Sequence, residues 1–277
     1  MIKYIDSDGI EYNLLNAKFR LKTGNFHNVS WKYTSLAKQF GVKIEKFEKD
    51  PLTLELEFWV TGSNSDIRKT LNDIHGSMEK DKLNLLPGKL IWGDYYVTGY
   101  FIESNTFPND NGSGVINETV FLAPYPFWIL EKKISIGSIT SGDEDGKIYP
   151  YTYEYEYSKL STKANVNIDH YTDSDFKMTV YGPTTSVLIN IAGHPYIVDY
   201  PLNEGEYMVI DSRPYVDKEK RLYMVDAHGN TKNIFHYRSP EYSVFKKIPC
   251  GTVTISYSRT YGIDLTVFVE RSEPLWN

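Results

Sequence analysis

Six histidines and one cysteine are the residues of this sequence best suited to metal binding or nucleophilic chemistry. A structural zinc site needs His or Cys ligands at short, regular spacings, and a reactive thiol needs an electropositive partner. The histidines show no such spacing and lie beside predicted turns or at polar positions: His27, His75, His170, His194, His228 and His236. Cys250 precedes Gly251 at the entry to a predicted strand. We therefore expect histidines on the solvated surface, an inert cysteine and no metal site.

Acidic and glycine-rich segments suggest cation or phosphate binding only faintly. Residues 143–146 read Asp-Glu-Asp-Gly, but they lack the spaced third acid and the distal glutamate of a calcium loop. Asp169, Asp173 and Asp175 suggest a cation site still more weakly. Residues 142–147 are one residue short of a phosphate loop, and Ile148 replaces the hydroxyl residue that would bind magnesium. No Gly-x-Ser-x-Gly motif is present. The sequence predicts neither catalytic residues nor a cofactor.

The composition describes a globular protein that makes contacts. The 277 residues carry a net charge of −6, which argues against binding to nucleic-acid phosphates. Aromatic residues make up 15% and include 23 tyrosines, which suit half-buried strands and interfaces. A single cysteine cannot form an intrachain disulfide. We expect no membrane insertion, because no segment approaches the ~20 apolar residues that a span requires. Residues 1–6 do not read as a signal peptide, so we expect folding in a cytoplasm.

The first half of the chain combines strands with one helix. Apolar and polar residues alternate with the period of strands, and a two-residue turn at Gly93-Asp94 predicts a hairpin. The predicted strands are residues 52–60, 89–92, 95–97, 98–106 and 115–123. Ile67, Leu71, Ile74 and Met78 recur at helical spacing, which predicts a helix over about residues 65–80. Residues 107–114 read as a loop.

The second half is predicted to contain strands and no helix. An exposed connection over residues 132–147, rich in Gly, Ser and acidic residues, precedes it. The predicted strands are residues 176–181, 187–191, 196–200, 205–211, 221–226, 242–248, 251–257 and 263–269. Short strands at such intervals are typical of a β-sandwich. The sequence therefore predicts a mainly β fold with two domains. In this prediction, residues 1–133 form a β-sandwich-like domain with one helix and a β-hairpin, and residues 134–277 form a β-sandwich.

Residues 85–100 resemble the amino-terminal domain of the distal tail protein (Dit) family of phages and prophages of Gram-positive hosts. That family has a strand, a helix, a Pro-Gly-x-Leu hairpin and a strand that ends in an aromatic, Pro, aromatic, aromatic segment. Pro87, Gly88 and Leu90 match the hairpin, and Phe127 and Trp128 match the aromatic segment. The second half is similar to the family's galectin-like carboxy-terminal sandwich.

The resemblance implies a structural, non-enzymatic hub in the tail of a virion or tail-like particle, assembled in the bacterial host cytoplasm. Such hubs form a ring, usually of six copies, between the tail tube protein and a tail-tip or baseplate hub protein. A contact with a receptor-binding protein stays open. The resemblance suggests these assembly residues: Pro87, Gly88, Leu90, Trp92, Tyr95, Tyr96, Phe127 and Trp128.

Two other functions stay open beside the hub. A carbohydrate-binding adhesin would use exposed aromatic rings such as Trp31, Tyr151, Tyr153, Tyr155 and Tyr157, four of which alternate on one strand face. A cell-wall hydrolase is disfavoured, because no hydrolase motif is present. The sequence does not distinguish a siphophage tail from a contractile or bacteriocin-like particle.

Overall fold

A computed structural model describes residues 1–108, 114–136, 163–258 and 260–275. The described strands are β1 (Ile2–Ile5), β2 (Glu11–Asn13), β3 (Phe19–Gly24), β4 (Lys32–Ala37), β5 (Val42–Glu48), β6 (Leu52–Val60), β7 (Gly88–Trp92), β8 (Tyr95–Pro108), β9 (Val115–Ala123), β10 (Trp128–Ile136), β11 (Lys163–Ile168), β12 (Asp175–Tyr181), β13 (Val187–Ile191), β14 (His194–Val198), β15 (Tyr207–Asp211), β16 (Leu222–Val225), β17 (Thr231–Asn233), β18 (Gly251–Tyr257) and β19 (Ile263–Arg271). One α-helix, α1 (Asn64–Leu83), and two 3-10 helices, Lys218–Lys220 and Phe235–Tyr237, complete them. The predicted mainly β fold is confirmed.

The chain divides into two compact units. Unit 1 comprises residues 1–130 and 270–277, and unit 2 comprises residues 131–269. Strand β10 begins in unit 1 and ends in unit 2. The predicted domain limits, 1–133 and 134–277, stay a prediction.

The helix α1 begins and ends where its sequence provides caps. The Ser63 hydroxyl accepts a hydrogen bond from the Asp66 backbone N–H at 3.2 Å, and the Asp66 carboxylate accepts one from the Ser63 N–H at 3.4 Å. Lys80 and Lys82 lie in the last turn, where positive charge suits the helix dipole. Ile67, Ile74 and Met78 are buried in the core of unit 1. The predicted helix is confirmed and is longer than predicted at its carboxyl end.

Unit 1 is built around the long strand β8, which belongs to two antiparallel sheets. Its first half pairs with β7, which pairs with β1 and then β2. Its second half pairs with β9, followed by β6 and β3. At the change between the two partners, a Cβ on Gly99 would collide with the backbone carbonyl of Leu122. Only glycine permits this close approach of two strands.

Unit 2 is a two-sheet sandwich. One sheet has the order β17, β16, β15, β12, β19 and the end of β10, and the other has the order β11, β18, β13, β14. Both sheets contribute side chains to one buried cluster, among them Phe176 and Leu265 from the first and Ile189 and Ile255 from the second. This interdigitation is the usual source of stability in a β-sandwich.

Several sequence predictions need correction. Phe107 was assigned to a loop but belongs to β8, where it pairs with Ile116. Residues 132–136 were assigned to the exposed connection but belong to β10, and the rest of that connection lies outside the described residues. The strand predicted at 242–248 is wrong: Val244 and Ile248 are buried, but they reach the core from an irregular segment. The five strands β1 to β5 were not predicted.

No described helix has both the length and the apolar character needed to cross a membrane.

Candidate functional site

Among the described residues, no group of three or more His, Cys, Asp or Glu side chains could hold a metal ion. Of the six histidines, His228 and His236 are exposed, and the other four are partly buried and so less solvated than expected. Two examples show the reason. His27 packs edge-on against Trp92, and half-buried His75 lies 3.0 Å from the Ser104 hydroxyl. Burial lowers the pKa of His75, which favours its neutral form.

The structure describes only some of the other candidate residues from the sequence. Asp175 is fully buried, with one carboxylate oxygen 2.8 Å from the Ser212 hydroxyl and the other 2.8 Å from the Lys247 ammonium group. These contacts join the start of β12 to the residue after β15 and to the irregular segment that contains Lys247, and they need no metal. Cys250 is exposed immediately before β18. Residues 142–148 and the tyrosines at 151, 153, 155 and 157 lie outside the described residues.

The residues implied by the family resemblance lie mostly in the interior of unit 1. Gly88, Leu90, Tyr95, Tyr96 and Trp128 are buried there. They can support an interface through the fold, but they cannot supply its contact surface. Pro87 is exposed, and Trp92 and Phe127 are partly buried. The ring of Trp92 packs at a tilt against that of Phe26, with ring centroids 4.4 Å apart.

The feature of unit 1 most suited to binding is a β-hairpin whose residues are all exposed. Strands β4 and β5 pair with each other and with no other strand in the described residues. Every residue from 32 to 48 is exposed. We call residues 32–48 the arm. The Lys38 N–H donates to the Gly41 carbonyl at 3.0 Å, and Gly41 adopts φ +78°, which closes the turn. A two-stranded hairpin alone is marginally stable in water, so the arm favours a partner.

The arm is amphipathic, as its cross-strand pairs show. Tyr33 faces Phe47, Ser35 faces Ile44, and Ala37 faces Val42 on one side. The other side pairs Lys32 with Glu48, Thr34 with Lys46, and Leu36 with Lys43. The apolar side is bare: Tyr33 is 61% exposed and Phe47 57% exposed, and Phe40 at the tip is 87% exposed. Exposed apolar surface of this kind marks an interaction site.

The base of the arm is fixed to the body of unit 1 by Lys49. Its ammonium group donates to the carbonyls of Pro126 at 2.9 Å and Ser272 at 3.4 Å. It also lies 5.6 Å from the ring centroid of Trp31 and 5.0 Å from that of Phe127. Burial lowers the pKa of Lys49. The arm is therefore anchored at its base by Lys49, and Trp31 contributes a ring contact to this anchor.

We expect Lys49→Met to destabilise the protein by about 1–2 kcal/mol, because the apolar stem is kept while the charged hydrogen bonds and ring contacts are lost. Urea unfolding followed by circular dichroism measures this change. Lys43→Met, on the exposed arm, is the matched control and should change stability by less than about 0.5 kcal/mol. Equal stability of the two variants would show that Lys49 does not anchor the arm.

Comparison with known proteins gives matches in structure alone. No protein-family model matches the sequence, and no curated protein matches it. The fold is similar to that of the Dit protein (gp 19.1) of phage SPP1, described as a paradigm of the hub adsorption apparatus in phages that infect Gram-positive hosts, with a TM-score of 0.63 and 10% identity. That match covers 98% of this chain and 99% of the SPP1 chain. The fold is equally similar to that of a chain in the phage P2 baseplate, in two structures of its activated conformation, one with calcium and one with strontium. For both, the TM-score is 0.63 at 11% identity, and the match covers 99% of this chain and 100% of the P2 chain.

Proposed function

We propose that this chain is a distal-tail-type hub protein of a phage tail or tail-like particle. The proposal starts from a fold shared over nearly the whole length with the SPP1 hub protein and a P2 baseplate chain. In this proposal, copies of the chain form a ring, usually of six, that joins the tail tube to the tip or baseplate. Its location would be the virion tail.

The observation that carries the proposal is the bare apolar side of the arm. A monomer gains nothing from an anchored hairpin with Tyr33, Ile44 and Phe47 exposed to water. A ring formed by heterologous contacts needs a projecting surface on each subunit that reaches the next one. The arm meets this need, and it lies in the part of the chain, residues 1–133, that we propose to form the ring. A structural role also needs no catalytic group.

Purified protein is expected to form a closed ring of about six subunits. Light scattering would give six times the mass of one chain, and negative-stain images would show sixfold symmetry with an open centre. A protein that stays monomeric at high concentration, and also when mixed with tail tubes of its own particle, would contradict the hub function. Binding on a glycan array by such a monomer would favour the adhesin instead.

A further inference from the structure

The outer face of the second sheet of unit 1 is unusual for a solvent-exposed surface. Trp59, Ile116 and Phe107 are direct cross-strand neighbours and form an apolar row over β6, β9 and β8. Trp59 and Phe107 are each more than one-third exposed. An apolar row of this kind across three strands suits contact with another surface.

Acidic residues adjoin this row. Glu57 lies directly opposite Glu118, and Glu55 and Glu103 flank Val120 in the next row. Like charges placed directly opposite each other destabilise a sheet. Lys22 partly compensates through an ion pair with Glu57 at 2.7 Å. We call these four glutamates, with the apolar row, the acidic face.

The arm has the opposite charge to the acidic face and a size that this face can accommodate. Residues 32–48 contain four lysines and two glutamates, whereas the acidic face has four glutamates beside Arg20 and Lys22. At about 3.3 Å per residue and 5 Å per strand, the arm is roughly 23 Å long and 10 Å wide. The exposed rows of β6, β9 and β8 extend over roughly 30 Å by 14 Å on the same scale. One face can therefore receive one arm.

We propose that the arm of one copy docks on the acidic face of the next copy in the ring. The apolar side, with Tyr33, Ile44 and Phe47, lies on the row of Trp59, Ile116 and Phe107. The lysines on the other side of the arm have long flexible side chains, which reach past the edges of the two-stranded arm and contact the glutamates of the acidic face. The two surfaces differ, so the contact is heterologous and can close a ring. This inference rests on the proposed ring and names the two surfaces that form it.

Charge exchange tests the inference. The arm variant is Lys43→Glu with Lys46→Glu, and the face variant is Glu55→Lys with Glu118→Lys. Each should raise the protein concentration needed for half-assembly by about tenfold at low salt, because like charges then meet. The chain that carries all four changes should assemble close to the wild-type concentration. Analytical ultracentrifugation across a dilution series measures these values. Lys218→Glu with Lys220→Glu, in unit 2, is the charge-matched control for the arm variant, and Glu204→Lys with Glu241→Lys, also in unit 2, is that for the face variant.

The outcomes separate this inference from the ring itself. If wild-type rings form and the face variant assembles like the control, the docking surface is wrong and the ring stands. A four-change chain that assembles no better than either pair alone would equally overturn it. If the wild-type protein makes no ring, the hub function fails and this inference fails with it.

A cross-linking measurement keeps the test decisive if a charge variant folds poorly. Copies carrying Tyr33→Cys are mixed with copies carrying Ile116→Cys, both with Cys250→Ser to remove the exposed native thiol. Mild oxidation should give disulfide-linked dimers in the mixture and none from either copy alone. Dimers absent from the mixture, when rings are present, would overturn the inference.

Discussion

Replacing Tyr33, Ile44 and Phe47 with serine is expected to abolish ring assembly while changing the melting temperature by less than about 3 °C. All three side chains are exposed on the apolar side of the arm. They belong to neither buried core of the chain and contact mainly other residues of the arm, so their loss costs the fold little. In an assembled ring, the same side chains would supply the buried apolar centre of the contact, where most binding energy resides. Light scattering and a thermal melt on the same samples measure both effects.

A matched control comes from unit 2. Tyr171, Leu188 and Tyr242 are 66%, 56% and 41% exposed, so replacing these three with serine also removes three exposed apolar side chains, away from the arm. That variant should assemble as the wild-type protein does. If the arm variant assembles equally well, the arm is not the ring contact. If the arm variant melts far below the wild-type protein, the arm contributes to the fold of the single chain, contrary to its exposure.

The arm escaped sequence-based prediction for a physical reason. A strand is recognised by apolar residues at every second position, as in β6, whose bounds were predicted correctly. In β5, Val42 and Ile44 keep that period, but the next apolar residue is Phe47, three positions on. The register shift near Glu45 accounts for the extra residue. Neither side of the arm packs on a core of this chain, so its sequence does not need the regular alternation of apolar and polar residues by which a strand is recognised.

The segment at 242–248 shows the opposite error. Its apolar residues suggested a strand, and Val244 and Ile248 are indeed buried. Between these two residues, the ring of Phe245 lies under the guanidinium group of Arg221 and stacks on the ring of Phe235. The segment is therefore held by ring contacts and one isolated antiparallel bridge, between Ile248 and Ser174, rather than by a continuous strand. The pattern of apolar residues in this segment correctly indicated which residues are buried, but it did not indicate their backbone conformation.

The same limit applies to the family-implied assembly residues. The hairpin motif correctly located β7 and the start of β8, because its turn and alternation are local features. Aromatic residues suit both cores and interfaces, so their type alone does not distinguish the two. Tyr95 and Trp128 fill the core, whereas exposed Tyr33 and Phe47 carry the proposed contact. Only the burial observed in the structure separates these roles.

The largest effect on stability is expected at Asp81, which is 1% exposed inside unit 1. Its carboxylate accepts hydrogen bonds from the Tyr4 hydroxyl and, at 3.0 Å, from the Ser7 backbone N–H. These bonds join the end of α1 to the first strand. Burial raises the pKa of Tyr4, and the hydrogen bond to Asp81 raises it further, so the hydroxyl remains a donor throughout the physiological range.

Asp81→Ala should lower the free energy of unfolding by about 3–5 kcal/mol, because it leaves two buried donors without their acceptor. Tyr4→Phe should also be costly, since the carboxylate then keeps only one of its two partners. The double variant should cost less than the sum of the two, because both single changes break the same bond. Urea unfolding of all three gives the coupling energy directly. A cost below about 1 kcal/mol for Asp81→Ala would show that water replaces the lost contacts.

Neither change touches the arm or the acidic face, so rings should still form below the lowered melting temperature. This separates the stability of unit 1 from its assembly.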